Sequence, residues 1–154
     1  MMFKTHMAFA VLVSLFFLHY FQPQNPILFS IVFLFAAILP DIDTSKSKIG
    51  QNTKPLSIIL NILFGHRGFF HTIWIPLIVF LASWHFEYKI LGIAFFSGYM
   101  LHLTCDLFTK EGVKLFSPLL KFHFKGFLTT GGRLEYVLLL GVIISIGLFI
   151  IKII

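Results

Sequence analysis

The sequence predicts an all-α polytopic membrane protein, a bundle of about five transmembrane helices with an amphipathic segment at the membrane interface. Among its 154 residues 58% are hydrophobic and 12% are charged, and the mean hydropathy is +0.94. Soluble globular proteins rarely reach such values. The single cysteine excludes an internal disulfide. We therefore expect residues 1–154 to form one membrane-embedded helical domain.

Five apolar stretches predict the helices. They cover residues 7–21, 27–39, 69–84, 90–104 and 134–151. Crossing the hydrocarbon core takes about 20 apolar residues, so the second stretch, with 13 residues, needs flanking residues or a thinner membrane. Its end at Pro40 and Asp41 is expected near the interface.

Polar residues separate the apolar stretches. Residues 22–26 carry two prolines but no small-residue cleavage site, so we expect the first helix to be retained rather than cleaved as a signal peptide. Residues 107–132 mix Phe and Leu with four lysines, which predicts an amphipathic segment on the membrane surface.

Alternating crossings place most of the basic residues at one end of the bundle. That end receives ten of the twelve Lys and Arg residues, and the opposite end receives Lys89 and Lys152. By the positive-inside rule we expect the basic end to be cytoplasmic. Since no basic helix or RNA-binding motif accompanies the charge, we expect no nucleic-acid partner. The same end collects the candidate site residues His6, Asp41, Asp43, His66, His71, His102, Asp106 and Glu135.

Two short motifs place carboxylates at helix ends. His102 and Asp106 are four residues apart, so they share one helix face as two prearranged metal ligands or as a hydrogen-bonded pair. Asp41 and Asp43 follow a helix that ends at a proline, where they are candidate ligands or simply turn residues.

Residues 65–72, Gly-His-Arg-Gly-Phe-Phe-His-Thr, form the most specific local signal. His66 and His71 are candidate metal ligands, and Arg67 is a candidate anion-binding group for the substrate. The alternative is a snorkelling arginine between interfacial histidines. His6, in the first turn of the first helix, is a candidate ligand because of its position, and the helix dipole alone also explains Glu135 at the start of the last helix.

Intramembrane acids and histidines are costly unless they are paired, hydrated or metal-bound. Asp41, Asp43, Asp106 and Glu135 would bring four negative charges together, which one divalent ion with Arg67, or two divalent ions, would balance. Mixed histidine and carboxylate ligation favours zinc, with manganese or iron as alternatives. The expected chemistry is hydrolysis by a metal-activated water, with Glu135 or Asp43 as the general base.

Several ordered motifs occur at sensible intervals along nearly the whole chain. They are Thr5-His6, residues 39–43, His66-Arg67-Gly68 with His71, His102 with Asp106, Thr109 with Gly112, and residues 115–118. On these motifs the chain resembles the YdjM-like family of inner-membrane proteins, which are described as metal-dependent hydrolases. The resemblance implies a small helical protein of the inner, or cytoplasmic, membrane with hydrolase activity. Phe70 and Thr72 depart from the family pattern, but neither is a proposed ligand.

The leading functional hypothesis is a metal-dependent hydrolase acting on a membrane lipid or on a lipid-linked ester or phosphoester. A cation or proton transporter is the first alternative, although the helix interiors offer few polar residues for a path. The second alternative is a structural or regulatory protein whose metal ties helix ends together.

Overall fold

A computed structural model describes residues 1–43, 69–120 and 122–153, and of residues 42, 43, 69 and 153 the backbone alone. All five apolar stretches are helical in part or whole, which confirms the all-α membrane class. Two short 3-10 helices, Leu39–Asp43 and Phe69–His71, lie at the two ends of the gap between residues 43 and 69. The α-helices among the described residues are α1 (Phe3–Phe21), α2 (Pro26–Ile38), α3 (Trp74–His85), α4 (Lys89–Leu107) and α5 (Arg133–Ile153).

Some helix bounds differ from the sequence prediction. Helix α1 begins at Phe3 rather than at residue 7, so His6 lies within its first turn. The stretch predicted to begin at residue 69 starts as a 3-10 turn, and α3 begins only at Trp74.

Three of the described helices, α1, α4 and α5, are long and apolar enough to cross a membrane, and α2 and α3 are shorter. Helix α2 has 13 residues and rises about 20 Å, and the five residues of the 3-10 helix after it add about 10 Å. Together they approach the roughly 30 Å of a hydrocarbon core. The helical backbone thus continues past residue 39, and the way in which this stretch spans the membrane stays a prediction.

Helix α2 packs closely against α4. Phe33 and Ala37 of α2 and Ala94 of α4 belong to one buried cluster. A Cβ atom at Gly98 of α4 would lie 2.2 Å from the carbonyl oxygen of Phe33. Small residues that permit such backbone approach are typical of membrane helix interfaces.

Helix α5 lies at the edge of the bundle. It packs against α1, where the Phe16 and Phe149 rings stack with centroids 4.4 Å apart. Its other face exposes large apolar side chains, including Leu140, Ile144 and Leu148. An exposed apolar face on a helix of this length suits contact with lipid.

Residues 108–132 connect α4 to α5 without forming a helix in their described part. The backbone folds back on itself through isolated bridges between Thr109 and Leu128 and between Val113 and Phe124. Leu119, Phe122 and Phe127 are exposed, as are Lys110, Lys114 and Lys125. The segment is amphipathic as predicted, and its position on the membrane surface stays a prediction.

The two polar turns at the other end of the bundle lie side by side. Gln24 and Asn25 from the α1–α2 turn share a groove of about 370 Å³ with Glu87, Tyr88 and Lys89 from the α3–α4 turn. Both turns therefore lie at the same end, as alternating crossings require.

Candidate metal centre

Five predicted site residues from four elements converge at one end of the bundle. They are His6 of α1, Asp41 of the first 3-10 helix, His71 of the second, and His102 and Asp106 of α4. Asp41 is partly exposed, whereas His6 is 3% exposed and His71, His102 and Asp106 are 1% exposed. Buried groups of this kind need a proton, a hydrogen bond or a cation to balance them.

His102 is oriented by the backbone of α2. Its Nδ1 lies 2.8 Å from the carbonyl oxygen of Ala37, which can only accept a hydrogen bond. Nδ1 therefore carries the proton, and in the neutral ring Nε2 presents a lone pair. Nε2 lies 3.8 Å from Asp41 Oδ1 and 3.8 Å from Asp106 Oδ2, and it has no hydrogen-bond partner within the described part of the chain.

Asp106 lies at the middle of the cluster and uses its two oxygens on different sides. Oδ1 accepts a hydrogen bond from the amine of Met1 at 2.6 Å and lies 3.2 Å from His6 Nε2. Oδ2 lies 3.8 Å from Nε2 of both His71 and His102. One carboxylate thus faces three imidazoles.

The three imidazole rings also contact one another. The His6 and His102 rings stack with centroids 4.1 Å apart and planes 5° from parallel. The His71 ring meets His102 edge-on, with centroids 5.6 Å apart. The three rings therefore form one compact, buried cluster around Asp106.

Two groups of potential ligand atoms each fit within 4.8 Å: His6 with His102 and Asp106, and Asp41 with His71 and His102. They share His102, whose single Nε2 lone pair can bind one ion. Each group therefore offers an ion three ligands. A second ion would need Asp106 as a bridging carboxylate together with His6. Nitrogen and carboxylate donors in this mixture suit zinc, manganese or iron.

The turn that carries His71 is held by contacts that the sequence did not indicate. The hydroxyl of Tyr99 donates a hydrogen bond to the carbonyl of Phe70, and Tyr99 is fully buried. The backbone N–H of Ile73 donates to the carbonyl of Leu115 at 3.0 Å. A buried tyrosine hydroxyl in an apolar helix needs a hydrogen-bond partner. That general rule is the signal in the sequence that could have identified Tyr99 as a residue with a structural contact.

Glu135 lies beside the cluster and is fully buried. Its Oε1 accepts a hydrogen bond from the backbone N–H of Met2 at 2.6 Å, and its Oε2 accepts one from Gly131 at 2.7 Å. The carboxylate thus ties the start of α1 to the start of α5. Its predicted role as general base stays a prediction.

Three further predicted site residues have side chains outside what the structure describes. His66 and Arg67 lie outside the described residues, and Asp43 is described by its backbone alone, in the 3-10 helix next to Asp41. Histidines not assigned to the site lie elsewhere: His19 contacts the Tyr20 ring, and His123 Nε2 lies 2.9 Å from the carbonyl oxygen of Glu111.

Comparison with known proteins identifies relatives of bacterial origin. The chain is 30% identical over 128 residues to the uncharacterized protein YvsG of Bacillus subtilis, an alignment that covers 82% of this chain and 80% of YvsG. It is 32% identical over 94 residues to the inner membrane protein YdjM of Escherichia coli, which covers 55% of this chain and 46% of YdjM. YdjM of Shigella flexneri matches equally. The alignment thus spans about half the length of the YdjM proteins.

No solved structure matches the chain. The family described as YdjM inner membrane protein matches residues 1–153. The helical bundle with its apolar helices agrees with that description. The chain therefore belongs to the YdjM family of inner membrane proteins.

Proposed function

We propose that the chain is a membrane-bound metal-dependent hydrolase with its His/Asp site at the cytoplasmic interface. The environment of His102 carries the proposal. Its protonated Nδ1 is bound to Ala37, and its Nε2 lone pair faces the carboxylates of Asp41 and Asp106 at 3.8 Å. Three groups that can each donate an electron pair converge there, and a divalent cation between them would be bound by all three. Metal-binding histidines commonly donate their other ring N–H to a backbone carbonyl in this way.

The ion would be held by His71, His102, Asp41 and Asp106. His6, whose Nε2 lies 3.2 Å from Asp106 Oδ1, would be a further ligand. We expect one or two divalent ions, with zinc as first choice and manganese or iron as alternatives. Such an ion supplies Lewis acidity and lowers the pKa of a bound water towards about 7. Asp43 and Glu135 remain the proposed bases, and Arg67 and His66 the proposed anion-binding residue and further ligand.

The cytoplasmic orientation rests on charge. Among the described residues, five basic side chains lie at the site end of the bundle and two at the opposite end. Those at the site end are Lys4, Lys110, Lys114, Lys125 and Arg133, and those at the opposite end are Lys89 and Lys152. An excess of Lys and Arg marks the cytoplasmic side.

A lipid or lipid-linked phosphoester is the proposed substrate. The segment after α4 exposes Leu119, Phe122 and Phe127 beside lysines, a combination that binds anionic membrane surfaces. The centre lies at the end of helices that cross the membrane, where lipid headgroups are found. A substrate anchored in the bilayer would reach it without leaving the membrane.

The test is hydrolysis by the full chain purified in detergent and loaded with zinc, manganese or iron. Phosphatidylglycerol and phosphatidic acid in mixed micelles would be the substrates, and release of headgroup or phosphate the readout. We expect metal-dependent turnover that is lost in Asp106→Asn and kept in His85→Ala, a histidine variant at the opposite end. Turnover that persists in Asp106→Asn would contradict this assignment, as would failure of every ion to bind.

A structural metal is the second candidate, because four of the five converging side chains are at most 3% exposed. Structural zinc sites are closed by four protein ligands, whereas catalytic sites keep a position for water or substrate. Bound zinc that raises thermal stability, exchanges slowly and supports no turnover would favour this second candidate.

A further inference from the structure

We infer that an apolar groove beside the metal centre binds one acyl chain of a membrane lipid, an inference that rests on the proposed function and names part of its substrate site. The groove has a volume of about 290 Å³ and runs between α1, α4, α5 and the segment after α4. Its walls include Phe9 of α1, Leu101 and Cys105 of α4, Leu128 of the connecting segment and Leu138 of α5.

The groove lies next to the candidate centre. Cys105 lines it and directly precedes Asp106. Met1 also lines it, and the amine of Met1 donates to Asp106 Oδ1 at 2.6 Å. A chain lying in the groove would therefore hold the polar end of its lipid next to the carboxylate that faces three imidazoles.

The wall formed by the connecting segment is fixed to the end of α4. Leu128 donates its backbone N–H to the carbonyl of Phe108 at 2.9 Å, and Lys110 donates to the carbonyl of Leu128 at 2.8 Å. The Thr109 hydroxyl donates to the carbonyl of Asp106 at 2.8 Å. Groove and centre are thus parts of one hydrogen-bonded unit.

Size and chemistry select an acyl chain over other occupants. One turn of an α-helix, about 10 Å across, occupies more than the 290 Å³ of the groove. The groove is therefore too small to hold a helix of another protein. Water is disfavoured because apolar cavities stay dry. A single hydrocarbon chain is slender and apolar, and three of the four walls belong to helices long enough to cross the membrane.

The experiment compares lipid retention in two tryptophan variants of the full chain. Leu138→Trp fills the groove, whereas Leu140→Trp adds the same ring on the same helix at a side chain that is 59% exposed. Both proteins would be purified in detergent, supplied with dioleoyl phosphatidylglycerol at low molar ratio, and examined by native mass spectrometry. We expect one retained lipid in the wild type and in Leu140→Trp, and about tenfold weaker retention in Leu138→Trp. Equal retention in both variants would overturn the inference.

A second measurement uses an accessible thiol in the groove wall. Thr104 lines the groove and is exposed, so the thiol is introduced as Thr104→Cys in a Cys105→Ala background. Added dioleoyl phosphatidylglycerol should slow modification of this thiol by N-ethylmaleimide, and dioleoyl phosphatidylcholine should do the same, because the acyl chain is what the groove recognises. If only phosphatidylglycerol protected the thiol, the lysines of the connecting segment would be binding its headgroup. That result would contradict acyl-chain binding in the groove.

These readouts separate the groove from the hydrolase. Lipid retention and thiol protection without turnover would support acyl-chain binding in the groove and contradict the proposed hydrolase activity. If metal-dependent turnover and lipid retention were both unchanged in Leu138→Trp, the hydrolase activity would be supported. Acyl-chain binding in the groove would be contradicted.

Discussion

His102 donates its Nδ1–H to the carbonyl oxygen of Ala37 across the α2–α4 interface, at 2.8 Å. The bond sets the ring orientation and leaves Nε2 as a potential ligand. It also uses a carbonyl in the last turn of α2, where helical partners run out. The packing of two helices and the geometry of the candidate centre therefore depend on the same contact.

His102→Ala should abolish stoichiometric metal binding. The variant removes the one imidazole common to both ligand groups, so affinity should fall by more than the roughly 10- to 100-fold that follows loss of an outer-shell partner. Elemental analysis of the purified protein would measure it, with His85→Ala as the matched control. Equal metal content in the two variants would rule out His102 as a ligand.

Asp106→Asn should remove the effect of chelation on thermal stability. In the wild type, metal at about 100 times its dissociation constant would stabilise the fold by about 2.7 kcal/mol, so EDTA should lower Tm by several degrees. The variant keeps the side-chain shape but removes the charge that faces three imidazoles, so EDTA should leave its Tm unchanged. A similar EDTA shift in both proteins would show that the metal binds elsewhere.

Helical spacing predicted the part of the site that lies on one element. His102 and Asp106 share a face of α4 because they are four residues apart, and alternating crossings brought His6, Asp41 and His71 to the same end. The Ala37 carbonyl could not be predicted, since its contact depends on how α2 is rotated against α4. Helical spacing also says nothing about the non-helical path of residues 108–132, which local hydrogen bonds determine.

Glu135→Gln tests whether Glu135 acts as a general base or instead links the start of α1 to the start of α5. Both carboxylate oxygens accept backbone N–H groups, and an amide would put a donor against one of them. We expect a stability loss of about 1–3 kcal/mol and roughly tenfold weaker metal binding, because the first turn of α1 carries His6. Thermal unfolding and zinc titration would measure both. A catalytic base would instead lose about 100-fold or more in turnover with stability and metal affinity intact.

Cysteine labelling should place the two ends of the bundle on opposite sides of the membrane. In a Cys105→Ala background, Lys110→Cys lies at the site end and Tyr88→Cys at the other, and both native side chains are exposed. We expect an impermeant maleimide added to intact cells to label Tyr88→Cys, and Lys110→Cys to react only after the membrane is opened. Labelling of Lys110→Cys in intact cells would reverse the proposed orientation.

Gly98→Ala should destabilise the protein and weaken metal binding together. The added Cβ would lie 2.2 Å from the Phe33 carbonyl oxygen, so α2 and α4 must separate, at a cost of about 1–3 kcal/mol. Gly141→Ala is the matched control: it meets nothing within 4 Å, and alanine favours a helix over glycine.

Thermal unfolding in detergent and zinc titration of both variants would test this coupling. Separating α2 from α4 stretches the bond between Ala37 and His102, so zinc affinity should fall in Gly98→Ala and stay at the wild-type level in Gly141→Ala. If Gly98→Ala lost stability but bound zinc normally, His102 would not need the Ala37 carbonyl to act as a ligand.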